Sequence, residues 1–333
     1  MRKIVIDSLF EKKAKVFCDN LFKKKSANFS KPIDGLKKLY NDLRPIKHKV
    51  HRKYLKKIID EYDEIISADP TKIEELKIEF NSLDNGIILN QFVPYKKIRF
   101  HEAIVNVMRY DALRNTEFNS FLNVAGIRSC IYCNAQSTLV IDYNYYNKKT
   151  QKKVKDSKAR LELDHFYPKS LYPYLCTSFY NLYPVCGNCN RAKSKSEINF
   201  KLYTRNANES DVFKFWIDDE SVLDYWLSLK NEDLKVFFQT VDGDFGFLNE
   251  YNKIFGIQGI YDTQKDIAEE LVHKAKVYSN AYKDNLIDNF KELFPDKSLI
   301  NRLIVGTYVN SEEIHKRPMT KYMQDIAKDL GLI

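Results

Sequence analysis

The chain has 333 residues, and its 44% hydrophobic and 14% aromatic content predicts a folded protein and excludes a disordered one. No apolar run is long enough for a membrane span, and Asp7 interrupts the apolar N-terminal segment, so we expect neither a membrane protein nor a signal peptide. The net charge of +9 is uneven, because residues 1–60 carry 18 Lys/Arg against 6 Asp/Glu, which favours an acidic partner such as nucleic acid.

The N-terminal third is predicted to be helical. Apolar residues recur at helical spacing around Leu36 and Tyr54, and a further helix over residues 72–80 has Thr71 or Asp69 as its candidate N-cap. Residues 97–124 predict two more helices. We therefore predict a basic helical region over residues 1–125, although lysines that only solvate helix faces would give the same charge.

Beyond Cys133 the pattern changes to the alternation typical of strands. Residues 138–146 and 160–165 are predicted strands, and the link 147–158 between them is a basic hairpin tip. A solvated turn would explain that tip, but its place near the polar motif described below favours phosphate contact by four of its lysines. These are Lys148, Lys149, Lys152 and Lys153.

The C-terminal region is predicted to be mostly helical. It contains a long amphipathic stretch over residues 263–294 and a short strand within residues 237–247. The fold class is therefore α+β and mainly helical. We expect three parts, at residues 1–125, 126–200 and 201–333.

Two Cys-x-x-Cys pairs occur in the central part, Cys130 with Cys133 and Cys186 with Cys189. Four thiolates in two short pairs suit the tetrahedral geometry of Zn²⁺ and leave no open coordination position, so we predict a structural zinc site. Chance placement of buried cysteines is the alternative. Cysteines used for metal binding favour a reducing, cytoplasmic compartment.

Polar residues with catalytic potential lie between and just after the cysteine pairs. Asp164 and His165 are neighbours on a predicted strand and so point to opposite faces. A carboxylate suits Mg²⁺ or Mn²⁺, and a neutral imidazole can take a proton from water. Asn190 offers a second oxygen ligand, Asn181 can hold the histidine or its loop, and Lys193 can face a phosphate one turn after Asn190.

Asp164-His165, Asn181-Leu182 and Cys189-Asn190, together with both cysteine pairs, resemble the HNH endonucleases in their zinc-stapled, treble-clef ββα-metal form. The resemblance implies that His165 is the general base and that Asn181 orients it. It also implies that Asp164 and Asn190 hold a catalytic Mg²⁺ or Mn²⁺. The third position is Asn in place of the His that names the motif, which makes this an HNN variant.

This resemblance implies a metal-dependent endonuclease that hydrolyses phosphodiester bonds in DNA. Many proteins of this architecture serve in bacterial anti-phage defence or restriction, some beside a separate ATPase. A one-metal site cleaves one strand per engagement, so a double-strand break would need a dimer or two visits. The sequence itself has no P-loop. Two alternatives stay open: a non-catalytic, zinc-finger-like nucleic-acid-binding protein, and an effector that cleaves RNA by the same chemistry.

Overall fold

A computed structural model describes the chain apart from residues 24, 27, 85, 95, 96, 114–121, 123–125, 195, 197 and 295 and the side chains of residues 155 and 156. The second helix predicted within residues 97–124 and the boundary at residue 125 fall largely on residues outside this description. No helix among the described residues is long and apolar enough to cross a membrane.

The protein is α+β and mainly helical, as the sequence predicts. The helices up to residue 193 are α1 (Ser8–Asn20), α2 (Pro32–Asp42), α3 (Lys49–Asp60), α4 (Tyr62–Ser67), α5 (Pro70–Leu83), α6 (Phe100–Val107), α7 (Tyr110–Ala112) and α8 (Gly187–Lys193). Those that follow are α9 (Asp219–Ser228), α10 (Phe245–Phe255), α11 (Ile257–Asp262), α12 (Lys265–Val277), α13 (Asn280–Asn289), α14 (Lys297–Val305) and α15 (Thr320–Asp329).

The described strands pair two by two. They are β1 (Ile4–Val5) with β6 (Tyr203–Thr204), β2 (Leu139–Asn147) with β3 (Lys152–Arg160), β4 (Glu162–His165) with β5 (Leu182–Val185), and β7 (Phe213–Ile217) with β8 (Val236–Thr240). The β1–β6 pair is parallel, and the other pairs are antiparallel.

The N-terminal helices form where the sequence predicts them, because their apolar stripes are buried. Leu36 and Leu39 of α2 and Tyr54 and Leu55 of α3 are all nearly inaccessible to solvent. Asp69 is the N-cap of α5, and its carboxylate accepts a hydrogen bond of 2.9 Å from the amide of Lys72.

One expectation about the secondary structure was wrong, and two others were confirmed with narrower bounds. The predicted link 147–158 is mostly strand β3. Its residues lack apolar alternation, so the sequence pattern does not predict a strand. Backbone hydrogen bonds with β2 stabilise it. The stretch 263–294 is two helices, since Ser279 caps α13 by accepting from Tyr282. The strand within 237–247 is β8, which gives way to α10, and its partner β7 was not predicted.

One hydrophobic cluster runs through the described parts of all three predicted regions, with members such as Leu36, Leu182 and Tyr261. Strand β1 pairs with β6, so that Ile4 lies opposite Tyr203. The three-part division of the chain stays a prediction.

The element that positions the polar residues is a short β-hairpin followed by a helix. In the β4–β5 pair, Asp164 lies opposite Tyr183 and His165 opposite Leu182. Strand β5 leads into α8 within two residues, and α8 packs against β4.

Candidate functional site

The four cysteines of the two Cys-x-x-Cys pairs come together. Their sulfur atoms lie within 4.8 Å of one another, and all four residues are buried. The loop with Cys130 and Cys133 docks on β5 through a 3.4 Å hydrogen bond from the amide of Ile131 to the carbonyl of Pro184. Burial raises the pKa of the Cys130 thiol well above its ordinary value, so thiolates in this position need a cation beside them. The cluster can hold a metal ion such as zinc, as the spacing predicts.

The C-terminal helices support this cysteine loop. The hydroxyl of Tyr251 on α10 donates to the carbonyl of Tyr132 at 2.7 Å, and that of Tyr261 on α11 donates to the carbonyl of Cys133 at 2.8 Å. Both tyrosines are buried. Two buried loop carbonyls are therefore satisfied by residues more than one hundred positions away in the chain.

Asn134 fixes the same loop to the C-terminal segment and was not singled out from the sequence. Its side chain is fully buried, and its backbone is in the left-handed region at φ 53°. The amide nitrogen donates to the carbonyl of Ile314 at 3.0 Å, and the amide oxygen accepts from the amide of Lys321 at 2.9 Å. A sequence pattern could have drawn attention to Asn134, because an Asn directly follows the second cysteine of both Cys-x-x-Cys pairs.

Asp164 lies in a buried polar contact. The hydroxyl of Tyr132 donates to its Oδ2 at 2.7 Å, and the ammonium of Lys193 lies 2.9 Å from the same oxygen. Burial raises the pKa of Asp164 above its ordinary value, while the Lys193 charge and the Tyr132 hydrogen bond act in the opposite direction. The sequence placed Lys193 facing a phosphate. The structure instead buries its ammonium against Asp164 and the carbonyl of His165, because the last turn of α8 faces β4.

Asn190 contacts a carboxylate that sequence reasoning missed. Its amide nitrogen donates to Oε2 of Glu162. Glu162 and Asp164 are two residues apart on β4, so both carboxylates share the face that α8 covers. An ionised carboxylate can only accept a hydrogen bond, which fixes the amide nitrogen towards Glu162 and leaves the amide oxygen as the potential ligand.

His165 points away from Asp164 and is 7% exposed. Its Nε2 donates to the carbonyl of Cys176 at 3.0 Å, and its ring centroid lies 4.6 Å from that of Tyr110. A carbonyl only accepts, so the neutral ring keeps its lone pair on Nδ1. Burial, helped by the charges of Lys169 and Lys193, lowers the pKa of His165 to about 3.

Asn181 stabilises the loop that holds His165 and does not itself contact the ring in the bonds that the structure shows. Its amide oxygen accepts from the amide of Tyr167 at 2.7 Å, and its amide nitrogen donates to the carbonyls of Tyr167 and Leu175. Cys176, whose carbonyl accepts from His165, directly follows Leu175. Of the two roles that the sequence left open for Asn181, the geometry supports the loop.

The predicted phosphate-binding lysines lie together on the β2–β3 hairpin. Lys148 and Lys149 are in its turn, Lys152 and Lys153 begin β3, and all four are exposed. They are therefore positioned for solvent or for an anionic partner.

The donor chemistry beside α8 fits a hard divalent cation, since two carboxylates and an amide oxygen lie on neighbouring positions of β4 and α8. Within the described residues, however, the four cysteines form the only group of three or more His, Cys, Asp or Glu side chains close enough to hold a metal. Lys193 supplies the cation that faces Asp164. No family model, curated protein or solved structure matches this chain.

Proposed function

We propose that the protein is a metal-dependent endonuclease of the HNH type, HNN variant, that hydrolyses phosphodiester bonds in DNA. The observation that supports this proposal is the arrangement of two neighbouring polar side chains at the end of β4. Asp164 and His165 lie on opposite faces of the strand, each fixed by buried partners, beside the four-cysteine cluster. The Nε2–H bond to a carbonyl leaves Nδ1 as the acceptor of His165, and Glu162 supplies a second carboxylate on the Asp164 face of β4.

His165 is the general base of the proposed reaction. Because Nε2 donates to the Cys176 carbonyl, Nδ1 carries the lone pair that accepts a proton from the attacking water. Asn181 positions this base indirectly, because it holds the loop whose Cys176 carbonyl orients the ring. Lys169, whose ammonium lies 4.6 Å from the ring centroid of Tyr110, adds positive charge near the same pocket.

The proposed metals have separate roles. The four cysteines hold a structural Zn²⁺ that fixes the cysteine loop to α8. Asp164 and the amide oxygen of Asn190 are the residues that hold Mg²⁺ or Mn²⁺, which supplies charge stabilisation to the leaving oxygen when bound. Glu162 holds the Asn190 amide in the orientation that presents its oxygen.

The basic surfaces suit a DNA substrate. Residues 1–60 have a net charge of +12, and four exposed lysines lie at the turn end of the β2–β3 hairpin that precedes β4. We extend the proposal to a role in anti-phage defence or restriction in the cytoplasm, as a dimer or beside a separate ATPase, since the chain shows no P-loop.

The decisive experiment uses His165→Ala. We expect a loss of about 10²–10⁴-fold in the nicking rate of supercoiled plasmid with Mg²⁺ or Mn²⁺, because general-base removal costs that much. Zinc content and DNA affinity should be retained, since neither depends on the imidazole. His273→Ala is the matched control, because this exposed histidine is hydrogen-bonded to Tyr225, outside the candidate site.

The outcomes separate the alternatives. Nicking by His165→Ala at the wild-type rate would reject the mechanism. Binding of DNA without any cutting by the wild type would favour the non-catalytic zinc-finger-like reading. Cleavage of RNA in preference to DNA under the same conditions would favour the RNA-cleaving effector.

A further inference from the structure

The longest strand pair is a two-stranded ribbon whose strand β2 is exposed to solvent on both faces. Strands β2 and β3 pair over nine residues, from Leu139 opposite Arg160 to Asn147 opposite Lys152. Along β2, seven of nine residues are exposed and none is buried. At about 3.3 Å per residue the ribbon is about 30 Å long.

One face of this ribbon carries a row of apolar and aromatic side chains. Leu139, Ile141, Tyr143 and Tyr145 alternate along β2 and are 37–42% exposed, and the two tyrosine rings stack at 5.8 Å. Cross-strand partners share a face. The register therefore places Arg160 and Lys158 opposite Leu139 and Ile141, Asp156 opposite Tyr143, and Lys152 one step beyond the row, opposite Asn147.

An isolated two-stranded ribbon is marginally stable in water, so an exposed apolar row of this length indicates a partner. Charge identifies the kind of partner. Residues 139–160 contain seven Lys/Arg and two Asp, a net charge of +5 within 22 residues. A polyanion complements this surface, whereas a basic or neutral protein face does not.

We propose that the β2–β3 ribbon is an arm that lies in the major groove of duplex DNA. Its lysines contact the phosphates on either side, and the Leu139–Tyr145 row faces the base edges. This inference rests on the proposed function and names the form of its substrate. A two-stranded ribbon fits the major groove, which is about 12 Å wide.

The arm is also placed to set the position of cleavage. β3 ends at Arg160 and β4 begins at Glu162, so a single residue joins the ribbon to the strand with Asp164 and His165. A length of about 30 Å corresponds to about nine base pairs at 3.4 Å each. The enzyme therefore needs about nine base pairs of duplex on one side of the cut.

The first test measures binding in the His165→Ala background, so that no cutting occurs. The arm variant changes Lys148, Lys149, Lys152 and Lys153 to Gln. If each lysine neutralises one phosphate, the slope of log affinity against log salt falls in magnitude by about 3 to 4, and the affinity lost between 50 and 200 mM salt falls by about 10²-fold. The matched control neutralises four exposed lysines of the C-terminal region, namely Lys230, Lys235, Lys253 and Lys276.

The second test varies the substrate. In the same His165→Ala background, duplexes shortened below about nine base pairs on one side of the cleavage position should be bound more weakly, and the arm variant should lose this length dependence. Tyr143→Ser with Tyr145→Ser should weaken duplex binding more than single-strand binding. Zinc content and melting temperature must match wild type in every variant, because a misfolded variant would also bind DNA more weakly.

Several outcomes would overturn the inference. These are an unchanged salt slope, an equal effect of the control lysines, or tighter binding of single strands through the tyrosines, as on a stacking platform. A changed oligomeric state with unchanged DNA affinity would assign the ribbon to a second copy of the chain. If the arm binds duplex as described but the wild type never cuts, the proposed function is wrong and the DNA-binding arm is supported. If the wild type cuts and the arm variants bind DNA like wild type, the arm is wrong and the proposed function is supported.

Discussion

The buried contact between Lys193 and Asp164 gives the sharpest prediction. Lys193 is 1% exposed and Asp164 is 7% exposed, and their charged atoms lie 2.9 Å apart. Lys193→Met removes the ammonium and keeps most of the side-chain volume. The Asp164 carboxylate then stays buried without a cation beside it, although the Tyr132 hydroxyl still donates to it. Breaking a buried pair in this way costs about 3–5 kcal/mol of unfolding free energy.

The unfolding free energy lost in Lys193→Met should depend on pH. Burial already raises the pKa of Asp164, and loss of Lys193 should raise it further. A carboxyl with a raised folded-state pKa destabilises the protein above its ordinary pKa, because the folded state must give up a proton that it holds more tightly. The deficit of Lys193→Met should therefore be largest at neutral pH and shrink as acid protonates Asp164.

The assay is a double-mutant cycle by urea unfolding at pH 7 and pH 5. Asp164→Asn combined with Lys193→Met buries no charge, so the double variant should be about 1–3 kcal/mol more stable than the sum of the single effects. Lys230→Met, at an exposed position, should change stability by less than about 0.5 kcal/mol.

A divalent ion adds a second readout. Mn²⁺ at Asp164 would replace the lost positive charge, so Mn²⁺ should raise the stability of Lys193→Met more than that of wild type. Wild-type stability in Lys193→Met, or strictly additive effects with Asp164→Asn, would refute the argument that these two charges depend on each other.

Three further predictions concern the surroundings of the site. Cys130→Ser should lower zinc content and melting temperature together, whereas Cys18→Ser should keep both; a zinc-free protein of full stability would reject the structural zinc site. Glu162→Ala should release the Asn190 amide and weaken Mn²⁺ binding, measured by electron paramagnetic resonance, by about 10–100-fold without loss of zinc, and unchanged binding would remove Glu162 from the site. Burial lowers the pKa of His315 to about 4, so unfolding free energy should fall by up to about 1.4 kcal/mol per unit as pH drops from 6.5 to 4; His315→Gln should flatten this dependence, and a parallel curve would contradict it.

The sequence by itself determined the helical N-terminal region, the α+β class and the four-cysteine cluster. It also identified Asp164 and His165 as adjacent residues on one strand. These features depend on the repeat within a single element or on the short spacing within each cysteine pair, which the backbone fixes locally. The meeting of the two pairs depends on the tertiary structure. The same reasoning places Glu162 and Asp164 on one face, although it was not applied to Glu162.

Only the tertiary structure decided which partners these residues have. The burial of Lys193 against Asp164 depends on how α8 packs on β4, and the support of the cysteine loop by Tyr251 and Asn134 depends on contacts with distant segments. Strand β3 likewise exists because β2 pairs with it, while its own polar sequence resembles a loop. Contacts between elements arise from packing and from the need to satisfy buried polar groups, and neither leaves a periodic trace in the sequence.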